Sequence, residues 1–503
     1  MRKKQVPVEF IYCLGIALIF LLICTKSSPL YPFNDWNDSN AFFTMGKGMM
    51  NGKVLYRDLF EQKGPLLYFI HGLAYLISPR SFLGVFVFET LSFAVFLFFA
   101  HKIINLYLNR NYSFFILPVA SYIILITQSF HFGDSAEEFG LPFAMMSMYL
   151  ILKYFRGIYP NPMPAKWLLA SGAAAGCVAM IKYTFIGFWF GWMLVLAIAY
   201  LINKRFLEVI KASGLFLAGI AAAVLPWLIY FIVNAALDDF IHCYFTVNFR
   251  AYTGQTDLAG RWNFIVYMFK LHFKIDKAVL IAGAVGIAAP FMRKDWSKSF
   301  IGRFTVIFCA AFLGVTVYGG AHGYTYYFFI FSVFVVFGFI TVFGLIQPLL
   351  AKVKFKPIYL LIIPVVALSL YGAYKGSSNV HMMKYGKEEL TQYRFAKIIN
   401  RGKGATLLNY GFLDDGFYTV AGIVPNVRFF MKQNLDYYRF PENMDEQNRY
   451  IKEKLVDFVV FRTYNNDQEP WDVPYLLENY ELVAEERYKA DWFRFYYLFK
   501  AKP

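Results

Sequence analysis

The sequence contains few charged residues. Only 16% of its 503 residues are Asp, Glu, Lys or Arg, against about 25% in soluble domains. It also lacks any CxxC spacing, so neither a disulfide framework nor a zinc site is predicted. The cysteines are scattered through or beside apolar segments, at Cys13, Cys24, Cys177, Cys243 and Cys309. Low charge together with 58% hydrophobic residues is typical of a chain that lies in lipid.

No small-residue cleavage site follows the basic N-terminus and its apolar run. The sequence therefore predicts a retained first helix and not a signal peptide. The net charge of +16 does not indicate nucleic-acid binding, because most Lys and Arg lie in short connections between apolar segments, where they report orientation in the membrane. The apolar segments themselves are long, each near the roughly 20 residues that a helix needs to cross a bilayer.

These segments predict an all-α polytopic membrane domain of about eleven transmembrane helices over residues 1–374, followed by an α+β domain over 375–503. The predicted spans are 8–25, 82–104, 113–130, 139–155, 167–182, 184–202, 211–233, 277–292, 301–319, 326–347 and 357–374. Basic residues cluster at every second connection, which predicts a cytoplasmic N-terminus and an extracytoplasmic tail. The tail has strand-like runs at 405–408 and 458–462 and helical runs at 388–400 and 445–455.

One apolar segment, 65–78, is short for a span, and we place it as a helix in the outer interface. If it crossed the bilayer, every later connection would invert and the basic clusters would face outward. With this placement the long outer connections are 25–80 and 234–276, and a short, acidic one is 130–138. The segments with unusual combinations of charged and aromatic residues then lie on the outer side of the membrane.

The first outer loop, 25–80, mixes carboxylates and cations with aromatic residues beside the membrane surface. Its acids include Asp35 and Asp38, and Arg57 and Lys63 follow. This mixture suits an anionic lipid head-group, because Lys and Arg bind phosphate while a carboxylate acts as a base on an incoming hydroxyl. The alternative is an ordinary solvated loop with an amphipathic interfacial helix.

The second outer loop, 130–138, carries Asp134, Glu137 and Glu138. Acids at the mouth of a helix pair normally face a water-filled cavity, a cation or a partner, and hard divalent cations prefer carboxylates. Capping of the following helix is the alternative reading. Two more residues in outer positions, Lys182 and His322, could bind phosphate. The alternatives are that Lys182 snorkels to the membrane interface and that His322 is part of an interfacial aromatic belt.

The first loop resembles the start of GT-C fold glycosyltransferases, in particular the protein O-mannosyltransferase and lipid A aminoarabinose transferase group. Asp38 falls on the first acidic position of that group's loop, and the residues from Phe60 to Pro65 resemble its Tyr/Phe-Glu-Lys-Pro-Pro stretch with one residue inserted. Ser39 stands where the group has a second acid. The acidic 130–138 loop is similar to the group as well, which places an essential carboxylate there, here Asp134 or Glu138.

The resemblance implies a donor and an acceptor. The donor would be a polyprenyl-phosphate sugar in the outer leaflet of the lipid bilayer, and the acceptor an extracytoplasmic envelope glycan or teichoic acid. Asp38 would be the base of an inverting transfer, with Asp35 as the reserve. The donor phosphate would be bound by Lys63, Arg57, Lys182 and His322.

The same resemblance implies a possible divalent cation, Mg²⁺ or Mn²⁺, held by Glu61 and Glu138. We expect a protein of the bacterial plasma membrane that binds no nucleic acid. The main rival is a transporter or lipid-linked-sugar flippase, which would place ionisable residues deep within its helices or pair broken helices near the midplane. A non-catalytic scaffold, or a ligase that takes a whole chain from a pyrophosphate donor, are further alternatives.

Overall fold

The computed structural model describes residues 7–350, 361–402, 404–464, 470–491 and 493–503. The α-helices are α1 (Val8–Cys24), α2 (Asn37–Met50), α3 (Pro65–Ile77), α4 (Leu83–Tyr107), α5 (Arg110–Leu125), α6 (Ala136–Lys153), α7 (Ala165–Ala179), α8 (Gly187–Ile202), α9 (Phe206–Val233), α10 (Leu237–Phe240), α11 (Leu258–Ile275), α12 (Lys277–Met292), α13 (Thr305–Tyr318), α14 (Val335–Leu350), α15 (Ile362–Gly376), α16 (Thr391–Ile399), α17 (Phe417–Ala421), α18 (Glu442–Lys452) and α19 (Leu476–Asn479). Each predicted span overlaps one of these helices, although the span at 357–374 begins outside the described residues.

Not every overlapping helix is long enough to span a membrane. Within the described part of the chain, five helical runs are long and apolar enough to cross, or six if one bent pair is a single span. The runs are Leu83–Tyr107, Tyr183–Ile202, Phe206–Val233, Ile301–Tyr318 and Thr325–Gln347. Shorter apolar helices include α1, α3 and α15. The total of about eleven spans therefore stays a prediction.

The expected outer loop at 234–276 is largely helical, which corrects the sequence prediction. Helix α11 occupies Leu258–Ile275, and α12 follows after a bend of 116°. Helix α11 was not among the predicted elements because cationic residues such as Arg261 and Lys270 interrupt its apolar residues and lower its hydropathy, and the placement of 234–276 outside the membrane stays a prediction. A second correction concerns 130–138, since α6 begins at Ala136 and its first turn already contains Glu137 and Glu138.

The chain forms two compact units. The first contains Met1–Thr25, Glu89–Pro226 and Gly254–Val380, and its described residues form helices and the connections between them. Its helices approach closely through glycine: a Cβ on Gly172 of α7 would lie 2.0 Å from the carbonyl oxygen of Phe216 on α9. Small residues at such crossings allow helix backbones to pack where hydrophobic burial gives little preference for one partner over lipid.

The second unit contains Lys26–Phe88, Trp227–Thr253 and His381–Pro503. The tail thus belongs to the same unit as the first outer loop, with α2 packed on α3 so closely that a Cβ on Gly46 would lie 2.4 Å from the backbone nitrogen of Gly72. The division falls at 380/381, a few residues beyond the predicted boundary at 374/375.

A four-stranded sheet lies in the tail. Its strands are β1 (Leu407–Tyr410), β2 (Phe458–Tyr464), β3 (Tyr480–Arg487) and β4 (Arg494–Ala501), in the order β1-β2-β4-β3. The β1–β2 pair is parallel, and the other two pairs are antiparallel. The strand-like and helical runs predicted in the tail correspond to β1, β2, α16 and α18. The crossover between the two parallel strands contains α17 and α18, as parallel pairing requires.

Candidate active site

The predicted base lies at the start of α2. Asp38 is in the first turn of this helix, where the backbone N–H groups and the helix dipole stabilise a carboxylate, and its side chain is half-buried. Phe42 follows four residues later and therefore lies on the same helix face. The Lys63 ammonium is 5.6 Å from the centre of the Phe42 ring. The structure thus brings Asp38 and Lys63 to one side of α2.

The turn before α3 fixes the backbone of Lys63. Its N–H donates to Glu61 Oε2 at 2.8 Å, and its carbonyl accepts a hydrogen bond from Tyr56 at 2.6 Å. Pro65, at the first position of α3, suits the fixed backbone of a helix start. The Lys63 ammonium lies 3.7 Å from Glu61 Oε1, longer than the roughly 2.7–2.9 Å of a charge-assisted hydrogen bond.

Asp35 is surrounded by donors and is only 5% exposed. One oxygen accepts from the Lys26 ammonium at 2.7 Å and the other from the Tyr488 hydroxyl at 3.1 Å. Burial by itself would raise the pKa of Asp35, but the Lys26 and Arg494 charges and these hydrogen bonds lower it to about 2. The reserve base is thus held ionised inside an ion pair, which favours a structural role.

Arg57, predicted to bind phosphate, is engaged by its neighbours. Its guanidinium donates to both oxygens of Asp58, at 2.9 and 3.2 Å, and to the carbonyl of Asn234 at 2.9 Å. With 44% of its side chain exposed, this ion pair is screened by water. Arg57 could release Asp58 for a stronger anion.

The second-loop acids belong to the helical unit. The Asp134 N–H donates to Glu89 Oε1 at 2.8 Å and to Glu138 Oε2 at 3.0 Å, so three buried carboxyl-bearing residues meet around one backbone amide. The Thr25 hydroxyl donates to the same Glu89 oxygen at 2.8 Å. Ser135 caps α6 by accepting from the Glu138 N–H at 3.2 Å. Glu137 and Glu138 lie in the first turn of α6, where the helix dipole favours acids, so the capping alternative stays open for these two residues.

Lys182 forms a buried ion pair with Glu137 at 2.6 Å, with side-chain exposures of 8% and 0%. Its ammonium also lies 3.1 Å from the centre of the Tyr327 ring, a cation–π contact. The snorkelling alternative is therefore wrong for Lys182. His322 is half-buried in the aromatic turn, its ring centre 5.3 Å from that of Tyr324.

The predicted metal ligands do not fit a cation well. Among the described residues no group of three or more His, Cys, Asp or Glu side chains is arranged to hold a metal ion. The Glu61 carboxylate contacts the Tyr68 hydroxyl, the Lys63 N–H and the Lys63 ammonium, all of them donors. The need for Mg²⁺ or Mn²⁺ stays a prediction.

Sequence reasoning missed Glu89. It is the one acidic residue in the apolar stretch of α4, and an ionisable residue within such a segment marks a functional site by default. It also missed the buried pair of His272 and Asp276, 2.8 Å apart at the bend between α11 and α12. The second-loop cluster therefore contains a carboxylate from a neighbouring helix that the loop sequence does not reveal.

The fold is similar to that of solved membrane glycosyltransferases. It matches ArnT from Cupriavidus metallidurans bound to undecaprenyl phosphate with a TM-score of 0.60 and 12% identity, over 98% of this chain and 97% of that one. It matches the Archaeoglobus fulgidus oligosaccharyltransferase AglB, in complex with an inhibitory peptide and a dolichol-phosphate, with a TM-score of 0.50 and 12% identity over 90% of this chain and 69% of that one. The mycobacterial arabinofuranosyltransferase AftD gives a TM-score of 0.52 and 11% identity over 100% of this chain and 40% of that one.

No protein-family model and no curated protein sequence matches the chain. The similarity is therefore one of architecture. All three solved proteins have the GT-C fold, and this chain has that fold too, as the resemblance of its first loop predicts.

Proposed function

We propose that this protein is an integral membrane glycosyltransferase that moves a sugar from a polyprenyl-phosphate donor to an extracytoplasmic acceptor. The observation that carries the proposal is the fold shared with ArnT over nearly the whole of both chains, in a structure that has undecaprenyl phosphate bound. The residues of the first outer loop support it independently, because a half-buried carboxylate and a lysine lie on one side of α2.

In the proposed reaction Asp38 is the base. As the acceptor oxygen forms its bond to the anomeric carbon, its proton passes to the Asp38 carboxylate. The bond from that carbon to the phosphate oxygen breaks on the opposite face, and the electron pair leaves with the polyprenyl phosphate. The sugar therefore inverts and no glycosyl-enzyme forms. A positioned base of this kind contributes about 10²–10⁴-fold to the rate.

Lys63 is the proposed partner of the donor phosphate. Negative charge grows on the phosphate as it leaves, and a fixed ammonium beside it stabilises the transition state more than the ground state. Arg57 is a second candidate in the same unit. In the helical unit Lys182, His322 and the cluster around Asp134 and Glu138 stay candidates, each to be tested by its own substitution.

An apolar cavity in the helical unit supports a polyprenyl donor. It has a volume of about 350 Å³ and lies among α11, α12, α13 and the helical turn that precedes α14. Its lining includes Phe269, Leu280, Ile307, Phe328 and Phe334. An isoprenoid chain is the part of the donor that such a surface would hold, because its burial removes hydrocarbon from water or from less complementary lipid.

A cleft of about 730 Å³ in the other unit supports an anionic envelope glycan or teichoic acid as acceptor. Its lining includes three cations, Arg80, Lys387 and Lys397, together with Tyr393 and Asn400. Among the residues that line it none is acidic. Phosphate or carboxylate groups of the acceptor would contact the three cations. Its sugar hydroxyls would hydrogen-bond with the Asn400 amide and the Tyr393 phenol.

Transfer by purified protein tests the proposal. Wild type and Asp38→Asn would be given radiolabelled polyprenyl-phosphate sugars in detergent with envelope glycan acceptors, and Asp238→Asn, which changes an exposed aspartate, is the matched control. We expect transfer by wild type and the control, and a loss of about 10²–10⁴-fold in folded Asp38→Asn. Normal transfer by Asp38→Asn would show that Asp38 is not the catalytic base.

A transporter or lipid-linked-sugar flippase is the second candidate. The broken pair of α11 and α12, with the fully buried His272 and Asp276 at its bend, favours it, since transporters build sites from interrupted helices and buried ionisable residues. A flippase needs two membrane faces, whereas a transferase works in detergent micelles. Sugar translocation in proteoliposomes without transfer in micelles would establish this candidate instead.

A further inference from the structure

One face of α2 carries polar residues where an amphipathic helix would carry apolar ones. Asn37, Asn40, Thr44 and Lys47 recur at spacings of three, four and three, which places them on a single side of the helix. Asn40, Thr44 and Lys47 are at most 1% exposed. Buried polar side chains need partners, so this face must meet a polar surface.

That surface is a tail segment, 414–419, which we call the aspartate turn. The Asn37 amide donates to Asp415 Oδ1 at 2.7 Å, and the Thr44 hydroxyl donates to Asp414 Oδ2 at 2.7 Å. Two further bonds join Asn40 and Lys47 to this turn: the Thr419 hydroxyl donates to Asn40 at 3.0 Å, and the Lys47 ammonium donates to the carbonyl of Tyr418 at 2.7 Å. Every member of the polar face of α2 thus bonds to one turn of the tail.

Side chains of the sheet hold the aspartate turn in place. Arg462 of β2 donates to both oxygens of Asp415, at 3.2 and 2.9 Å, and the Tyr496 hydroxyl of β4 donates at 2.6 Å. Asn409 of β1 donates to Asp414 at 3.1 Å. Three strands therefore fix the two carboxylates, and the sheet is continuous with α2 through hydrogen bonds.

The turn also depends on a glycine. Gly416 has φ +95°, a backbone conformation that disfavours other residues, and a Cβ there would lie 2.2 Å from the ring of Phe33 and 2.9 Å from Asn40. Glycine lets the turn lie directly against the start of the first outer loop.

The contact reaches the N-terminus of α2, which no side chain caps. Trp36 occupies the N-cap, and an indole has no oxygen to accept a backbone N–H. The first turn of a helix frays unless it is held. Asn37 precedes Asp38 directly, so the bond from Asn37 to Asp415 acts on the same turn that carries the proposed base.

We propose that Asp415 is a positioning residue for Asp38: through Asn37 it fixes the first turn of α2 and with it the direction of the carboxylate. This inference rests on the proposed function for its catalytic consequence, but the structural link stands without it. A displacement of about 1 Å at a reacting group can cost 10²-fold in rate. The tail would therefore serve the reaction by holding the base, whatever else it binds.

The test removes the link with the smallest change. Asn37→Ala deletes the donor and leaves the contacts of Asp415 with Arg462 and Tyr496 intact, and Asp415→Asn is the partner variant. Asn51→Ala, an exposed position at the far end of α2, is the matched control. Amide hydrogen exchange of peptides covering 37–44 reports the fraying of the first turn. Steady-state transfer kinetics report the consequence for the reaction.

We expect exchange in 37–44 to become at least about five-fold faster in Asn37→Ala and in Asp415→Asn, with no change in the control. The kcat should fall about 10–100-fold while the donor KM stays within about two-fold, because the donor site is not altered. The double variant should lose no more than the worse single variant, since both break one link.

Two results would overturn the inference. Unchanged exchange in both variants would refute the link itself, with or without transferase activity. Faster exchange with an unchanged kcat would show that the first turn can fray without harm, and that Asp415 does not position the base. Failure of the proposed function looks different: transfer would be absent in wild type or normal in Asp38→Asn.

Discussion

The ion pair of Asp35 and Lys26 gives a sharp prediction for Asp35→Asn. Both side chains are almost completely buried, with exposures of 3% for Lys26 and 6% for Asp35. Removal of one member of a buried pair leaves the other charge without compensation and costs about 3–5 kcal/mol. The lowered pKa of Asp35 agrees in direction, because the Lys26 and Arg494 charges make the folded protein favour the ionised carboxylate.

The sign of the pH dependence follows from the lowered pKa. The stability that Asp35 contributes is present above the ordinary carboxyl pKa of 3.8 and is lost as the pH falls through about 2. Asp35→Asn should therefore lower the Tm by on the order of 10 °C at pH 7, and by less at pH 3. Thermal unfolding in detergent can be followed with a thiol-reactive dye, since four of the five free cysteines are buried.

Asp238→Asn, at an exposed position, is the control and should melt like wild type. The decisive comparison is between melting and transfer. A folded Asp35→Asn with an unchanged Tm but no transfer would refute a structural role, and Asp35 would replace Asp38 as the base. If Asp35→Asn is less stable but still transfers sugar at low temperature, Asp38 stays the proposed base.

Three further predictions concern the same unit. Lys63→Gln should reduce kcat/KM for the donor about 10–100-fold, the value of one charge-assisted hydrogen bond, with an unchanged Tm; an unchanged kcat/KM would exclude phosphate binding by Lys63. Burial raises the pKa of Asp414 to about 6, so the stability it confers is full at low pH and is lost as the pH rises through 6. The Tm of Asp414→Asn relative to wild type should therefore rise from pH 4.5 to pH 7.5, and a constant difference would contradict this. Arg80→Glu with Lys387→Glu should abolish salt-dependent binding of a phosphate-bearing glycan oligomer, while Lys452→Glu should not; equal binding by all three proteins would rule out the cleft.

The helices were predictable because lipid imposes a simple rule. A segment that spans hydrocarbon must be apolar and about 20 residues long, and the sequence shows this directly. Helix α11 was not predicted because its cationic residues lower the hydropathy of the segment, and the rule depends on hydropathy. The segment at 65–78 was predicted as a short helix, and the structure has Pro65–Ile77.

The side-chain partners were much harder to predict than the elements. Asp38 and Lys63 could be selected because they lie 25 positions apart in one recognisable loop. The hydrogen bond between Asn37 and Asp415 joins residues 378 positions apart, and the sequence around Asn37 does not predict which residue it contacts. The helical spacing of the polar residues of α2 can be read from the sequence, but it was not part of the prediction, and it does not identify the segment that they contact.

The unit that holds Asp38 is assembled from three separate stretches of chain, and this sets an order of events during synthesis. The stretch Lys26–Phe88 leaves the ribosome before the other two stretches, and His381–Pro503, which supplies the aspartate turn, leaves after them. The polar face of α2 and the aspartate turn are separated by 370 to 379 residues, so at about 5–20 residues per second the interval between them is roughly 20–75 s. Throughout that time the polar face of α2 has no aspartate turn to bond, so its four side chains must be hydrated until the tail is made.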